Sequence, residues 1–203
     1  RRYRLVTGVQ TCALPICLFT SNRRGNDCLN IVRSDFKLLR SAFSQIKSDA
    51  LDVDFSTGRV AHTSFAKIGN DAIDTSGSEI SLEAVQIESV GDKALSAGER
   101  SYIRVKDFSI SGAGIALTSK DLSTIAVVNA LINNCEVGFI AFQKKSEFGP
   151  GQIEITHLTV ENVQRNHLIE KESRLSIDAR SLPAEEENVG EMLYGNIYGK
   201  SSR

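Results

Sequence analysis

The chain has 203 residues, with 24 basic and 25 acidic side chains, a formal charge of −1 and 41% hydrophobic residues. That length suits one domain with a single core. The lack of a basic excess excludes nucleic acid as a partner, and no stretch reaches the roughly 18 to 20 apolar residues of a membrane span.

In chain order, the first feature is VTGVQTCALPI, residues 6–16. As a secretion signal it fails, because Gln10, Thr11 and Pro15 interrupt the apolar run. It looks instead like the in-frame translation of a short-read sequencing adapter. Residues 1–17 are therefore set aside as adapter-derived, and rungs or a domain upstream of them are expected. Setting them aside removes Arg1, Arg2 and Arg4 and takes the charge from −1 to −4. Cys12 and Cys17 lose their meaning, and Cys28 and Cys135 remain, too few for a disulfide framework or a spaced metal site.

Residues 18–180 carry a repeat. DCLNIV, DALDVDFSTG, DAIDTSGS and DKALSAGE place an aliphatic anchor at Leu29, Leu51, Ile73 and Leu95, each 22 residues apart. The series continues through Ile115, Phe139 and Leu168 with looser steps. Each period holds three short stretches that alternate apolar and polar residues, rich in β-branched side chains and separated by Gly, Ser, Asn or Asp. Ankyrin or leucine-rich units would need a helical segment in every period. The pattern predicts an all-β chain, a right-handed parallel β-helix of about seven rungs, roughly 30 Å long at 4.8 Å per rung. Cys28 and Cys135 then stand about four rungs apart, too far for a disulfide. Residues 181–203, with Pro183 and a run of glutamates, leave the pattern as a tail or cap, with Met192, Leu193, Tyr194 and Ile197 expected over the last rung.

Two outward columns carry charge. The outward residue after each anchor reads Asn30, Asp52, Asp74, Ser96, Ala116 and Ile140, with Glu170 two residues after Leu168. Asp52 and Asp74, with Asp54 beside them, are weak metal candidates. Calcium would need further oxygen ligands to reach six to eight, so no cofactor is expected. The turn after the first strand holds Glu99, Lys120, Asp121, Lys144 and Lys145, followed by an insertion, SEFGPGQ, with Phe148 as a groove wall. Rung-spaced lysines there would meet the carboxylates of an acidic polysaccharide. His62, His157 and His167 fall on different rungs or faces without a Ser or Cys partner, so no triad and no catalytic residue is assigned. Asn70, Asn133, Asn134 and Asn162 suit a structural ladder.

The repeat resembles right-handed β-helix proteins of the pectin-lyase-like superfamily over residues 27–180. GDKALSAGERS, SKDLS, AFQKKSEFGPG and the terminal YGKSS are similar, more narrowly, to bacterial β-helix proteins that accompany CotH-type kinase domains. The superfamily implies polysaccharide lyase, hydrolase or epimerase activity, and the narrower resemblance implies a secreted or cell-surface location. The sequence has neither the Asn-Thr-Asp, Gly-His-Gly and Arg-Ile-Lys strings of the hydrolases nor a clear lyase set of calcium carboxylates with an arginine. The expectation is a non-catalytic carbohydrate-binding module, with a polysaccharide lyase and a structural spacer as alternatives.

Overall fold

The computed structural model describes residues 17–22 and 26–195. The chain is a parallel β-solenoid of about seven turns, as the period predicts. Each turn contributes one strand to each of three faces. The first face contains β2 (Asp27–Val32), β5 (Asp49–Asp54) and β8 (Ile73–Ser76). The second contains β3 (Asp35–Leu39) and β6 (Thr57–Ala61), and the third β1 (Cys17–Thr20), β4 (Ser41–Ile46) and β7 (Ser64–Ile68). Further along, β9 (Glu79–Gly98), β10 (Tyr102–Lys120) and β11 (Thr124–Phe142) each run through all three faces. They turn the corners at single left-handed residues such as Ala84, Ser89, Asp107 and Asn129. The last turns are built from β12 (Gln152–Glu161), β13 (Arg165–Ile169) and β14 (Arg174–Ile177), and β15 (Arg180–Ser181) closes the end antiparallel to β14.

Strand pairing places the inward anchors in one column: Leu29, Leu51, Ile73, Leu95, Leu117, Phe139 and His167. The spacing is 22 residues as far as Phe139 and 28 at the last step. Two anchors therefore differ from the sequence expectation. Leu117 replaces Ile115, and His167 replaces Leu168. Ile115 pairs with Lys93, an outward position. The column after the anchors accordingly reads Thr118 and Leu168 where Ala116 and Glu170 were expected. The 28-residue step arises from residues 143–151, so the SEFGPGQ insertion does lengthen this turn. Gly151 ends it, where a Cβ would lie 2.1 Å from the Ser119 carbonyl oxygen.

Branched aliphatics and phenylalanines fill the interior. Phe19 stacks on Phe43 with ring centroids 4.4 Å apart, and Phe43 on Phe65 at 4.8 Å, close to the rung spacing. At the corner after the first face runs a ladder of serines, buried from Ser56 onward. The backbone N–H of Ser34, Ser56, Ser78 and Ser101 donates to the hydroxyl of Ser56, Ser78, Ser101 and Ser123 respectively, at 3.0–3.1 Å. Each of these turn amides is thereby satisfied inside the protein. Asn162 donates to Asn133 at 3.3 Å, as expected of an asparagine ladder. Cys28 and Cys135 are free thiols, as is Cys17.

β1 begins at Cys17, which pairs with Ser41, one residue inside the stretch set aside as adapter-derived. Residues 1–16 and Ile197 lie outside the described residues. The C-terminal segment works differently from the cap predicted. Leu182 and Ala184 pack against the main core at its end. The chain then returns along the outside of the first face, where α1 (Val189–Tyr194) buries Val189 and Leu193 against Ile115, Val137, Ile140, Phe142 and Leu168. Met192 and Tyr194 pack against this second, external cluster. Asn188 caps α1 by accepting from Glu191 N–H at 3.0 Å.

Candidate ligand-binding cleft

Directly beside that strap, the first face opens into a cleft of about 350 Å³. Its walls come from successive rungs: Asn26 and Asp27; Ser48 and Asp49; Asn70, Asp71 and Asp74; Asp92 and Lys93. Lys120, Lys144 and Tyr194 close the far side. Tyr194 belongs to the strap, so the cleft is made from both ends of the described chain.

Two residues before each anchor lies a column that the sequence reading did not use: Asp27, Asp49, Asp71 and Lys93. The first three carboxylates stand at rung spacing, and Asp49 and Asp71 cap backbone. Asp49 Oδ1 accepts from Asp71 N–H at 2.9 Å and from Asn70 Nδ2 at 2.5 Å. Asp71 Oδ1 accepts from Lys93 N–H at 2.9 Å. On the fourth rung the carboxylate is replaced by an amine. Lys93 Nζ donates to Asp92 Oδ2 at 2.5 Å and lies 3.4 Å from both oxygens of Asp71.

The electrostatics follow from crowding and burial. Burial raises the Asp52 carboxyl to about 7, and repulsion from Asp54, Asp74, Asp27 and Asp49 adds to it. Burial likewise raises Asp49 and Asp54. Burial pushes Asp71 to about 7 against the pull of Lys93. Burial also disfavours the Lys93 ammonium, but Asp71 and Asp92 outweigh it and hold Lys93 above its ordinary range. One ammonium between two carboxylates leaves a net negative triad, and burial favours a proton on Asp71. Lys144 is pulled down by burial and by Lys120 and Lys93, with its Nζ 4.8 Å from the Tyr194 ring centroid.

The predicted site residues separate into two groups. Lys120 and Lys144 turn into the cleft. Lys120 Nζ donates to Ser96 Oγ at 2.8 Å and lies 3.8 Å from Asp74 Oδ1. Glu99, Lys145 and Phe148 stay at the turn. Lys145 forms an ion pair with Glu99, and the Arg100 guanidinium sits 5.5 Å from the Phe148 ring centroid. Asp121 is fully buried between the groups, its Oδ1 accepting the N–H of Lys144 and Lys145, both at 2.7 Å. Asp52 and Asp74 are register partners as predicted, and Asp52 accepts from Asn30 at 2.8 Å. Among the described residues, no group of three or more His, Cys, Asp or Glu is arranged to hold a metal ion.

No family model, curated protein or solved structure matches this chain.

Proposed function

We propose that the chain is a non-catalytic solenoid module that binds carbohydrate in the first-face cleft. The observation behind this reading is the cleft's lining: carboxylates, amides and ammonium groups converge there at rung spacing, with one aromatic ring at the rim. Sugar hydroxyls each need a donor and an acceptor, and a ladder of Asp, Asn and Lys supplies both. The resemblance to pectin-lyase-like and CotH-associated β-helix proteins supports the same ligand class and a surface or secreted location.

Charge favours an uncharged glycan over the acidic polysaccharide expected from the lysines alone. Five aspartates line the cleft against three lysines. Lys120 faces Asp74, and Lys145 is engaged by Glu99 at the turn. A polyanion would meet net repulsion there. The test is affinity electrophoresis through gels containing laminarin, hydroxyethylcellulose or xylan, against gels containing polygalacturonate or alginate. Retardation by an uncharged polymer, little altered by salt and lost in Asn70→Ala, is the expected result. Retardation only by the polyanions, weakening with salt, would restore the acidic ligand. No retardation by any of them would leave the spacer reading.

One observation favours a lyase as second reading: a half-buried lysine with a lowered affinity for its proton stands beside a tyrosine. Appearance of an ultraviolet-absorbing unsaturated product from polygalacturonate, lost in Lys144→Met, would put that reading first.

A further inference from the structure

Asp71, Asp92 and Lys93 have side chains only 5%, 9% and 6% exposed. A simple ion pair would bring the ammonium to about 2.7–2.9 Å from one carboxylate oxygen. Lys93 Nζ is closer than that to Asp92 Oδ2, at 2.5 Å, and farther than that from Asp71, where it lies 3.4 Å from Oδ1 and 3.4 Å from Oδ2. Nζ thus straddles the Asp71 carboxylate, with the carboxyl carbon the next atom behind the two oxygens. The Lys93 backbone N–H, meanwhile, already donates to Asp71 Oδ1 at 2.9 Å. A nucleophile, an electrophilic carbon, a carboxylate in contact with the nucleophile and a donor on the carbonyl oxygen therefore occupy one buried site.

We propose that Lys93 and Asp71 are a site of autocatalytic isopeptide formation, which joins two successive rungs covalently. Asp92 relays a proton from the Lys93 ammonium to Asp71 Oδ2, leaving a neutral amine beside a neutral acid. The Nζ lone pair attacks Cγ, the C–N bond forms, and the carbonyl electron pair moves onto Oδ1, held by the Lys93 N–H. Asp92 then carries the second nitrogen proton to Oδ2, the C–Oδ2 bond breaks, and water departs into the cleft. The net change turns ammonium plus carboxylate into amide plus water, and no oxidant or other reactant is needed. Burial supports the step by holding the Asp71 carboxyl up, so the acid is the electrophile near neutral pH; Asp71 and Asp92 together hold Lys93 as the ammonium, so Asp92 must take its proton before Nζ attacks. Asp92 is a catalytic residue on this reading, since it touches the reacting nitrogen.

The test is the intact mass of the purified full-length chain, followed by tryptic mapping. The expected mass is lower than the sequence mass by one water, and the bond after Lys93 resists trypsin. Lys93→Arg and Asp71→Ala restore the full mass. Asp92→Asn, whose amide cannot relay the proton, gives a folded chain at full or nearly full mass, with circular dichroism confirming the fold. A wild-type chain at its full sequence mass and cleaved after Lys93 would overturn the proposal. So would a loss of water that persists in Lys93→Arg, which would place a cyclised aspartate elsewhere.

Discussion

The outer side of the first face divides into two halves built on the same backbone. In the N-terminal half, the outward positions hold Asp49, Asp52, Asp54, Asp71 and Asp74, and a cleft lies open. In the C-terminal half, the equivalent positions hold Ile115, Val137, Ile140, Phe142 and Leu168, covered by the strap. Lys93 stands at the boundary, with Asp71 before it in its column and Ile115 after it. The difference shows that a solenoid's coil specifies only its inward columns. What the outward columns carry is set by what lies over them, here solvent and a ligand cleft on one half and the chain's own C-terminal segment on the other.

The largest effect should come at the boundary. Lys93→Ala leaves Asp71 and Asp92 buried without their cation, and breaking such a pair costs about 3–5 kcal/mol. Urea unfolding measures this, and a loss under about 1 kcal/mol would mean that the triad is solvated and the boundary is not a buried one. Next comes the covered half. Leu193→Ala removes a fully buried strap side chain and should cost about 2–3 kcal/mol, at the lower end for buried leucines because the strap can shift. Limited proteolysis should then cut between residues 182 and 195 before any cut in the coils. If the coils were cut first, the strap would be no separable element.

The open half should show itself through pH. The Asp52 carboxyl is raised in the folded chain to about 7, from an ordinary value of 3.8. A carboxyl raised on folding binds its proton more tightly in the folded state. Its contribution to stability is therefore full below about pH 3.8 and is lost as pH rises through about 7. Asp52→Asn should flatten that decline and stabilise the chain at pH 8, by about 1 kcal/mol once solvent screening of this half-buried group is allowed for. Melting temperatures at pH 5 and pH 8 decide it, and equal pH profiles for wild type and variant would remove Asp52 from the crowded acidic patch. The smallest effect belongs to the second face, outside the comparison. The exposed Arg59–Glu83 pair should contribute less than about 1 kcal/mol, so Arg59→Ala serves as a control in the same unfolding series.

The fold was legible because 22-residue spacing with short alternating strands admits few other architectures. The register was legible through Leu95 and slipped at Ile115 for a physical reason. Ile115 is apolar because the strap covers it, and an apolar outward residue reads in sequence like an inward anchor. Leu168 misleads in the same way. The cleft was only half legible. Asp74 stood out by alternation from the anchors, and Lys120 and Lys144 as a charged column at the turn after the first strand. Asp49, Asp71 and Lys93 did not, because alternation breaks where the strand leaves its corner. Ala50 and Leu51 are both fully buried, as are Ala72 with Ile73 and Ala94 with Leu95, so the residue before them (Asp49, Asp71 or Lys93) faces outward at a position that strict period two calls inward. The recurring Asp two residues before each of the first three anchors was the available signal. The serine ladder was equally available, at 34, 56, 78, 101 and 123. Tyr194 was out of reach of any local pattern, since it joins the cleft only through the path of the strap.

Hydrogen exchange of the full chain, with and without the polysaccharide that retards it most strongly, tests the central claim most directly: that the open half of the first face is the ligand site. The account predicts slowed exchange in 48–54, 70–76, 92–98 and 188–195, and unchanged exchange in the second-face stretches 57–61, 79–83 and 102–106. Protection confined to the second or third face, with the cleft stretches unchanged, would contradict it.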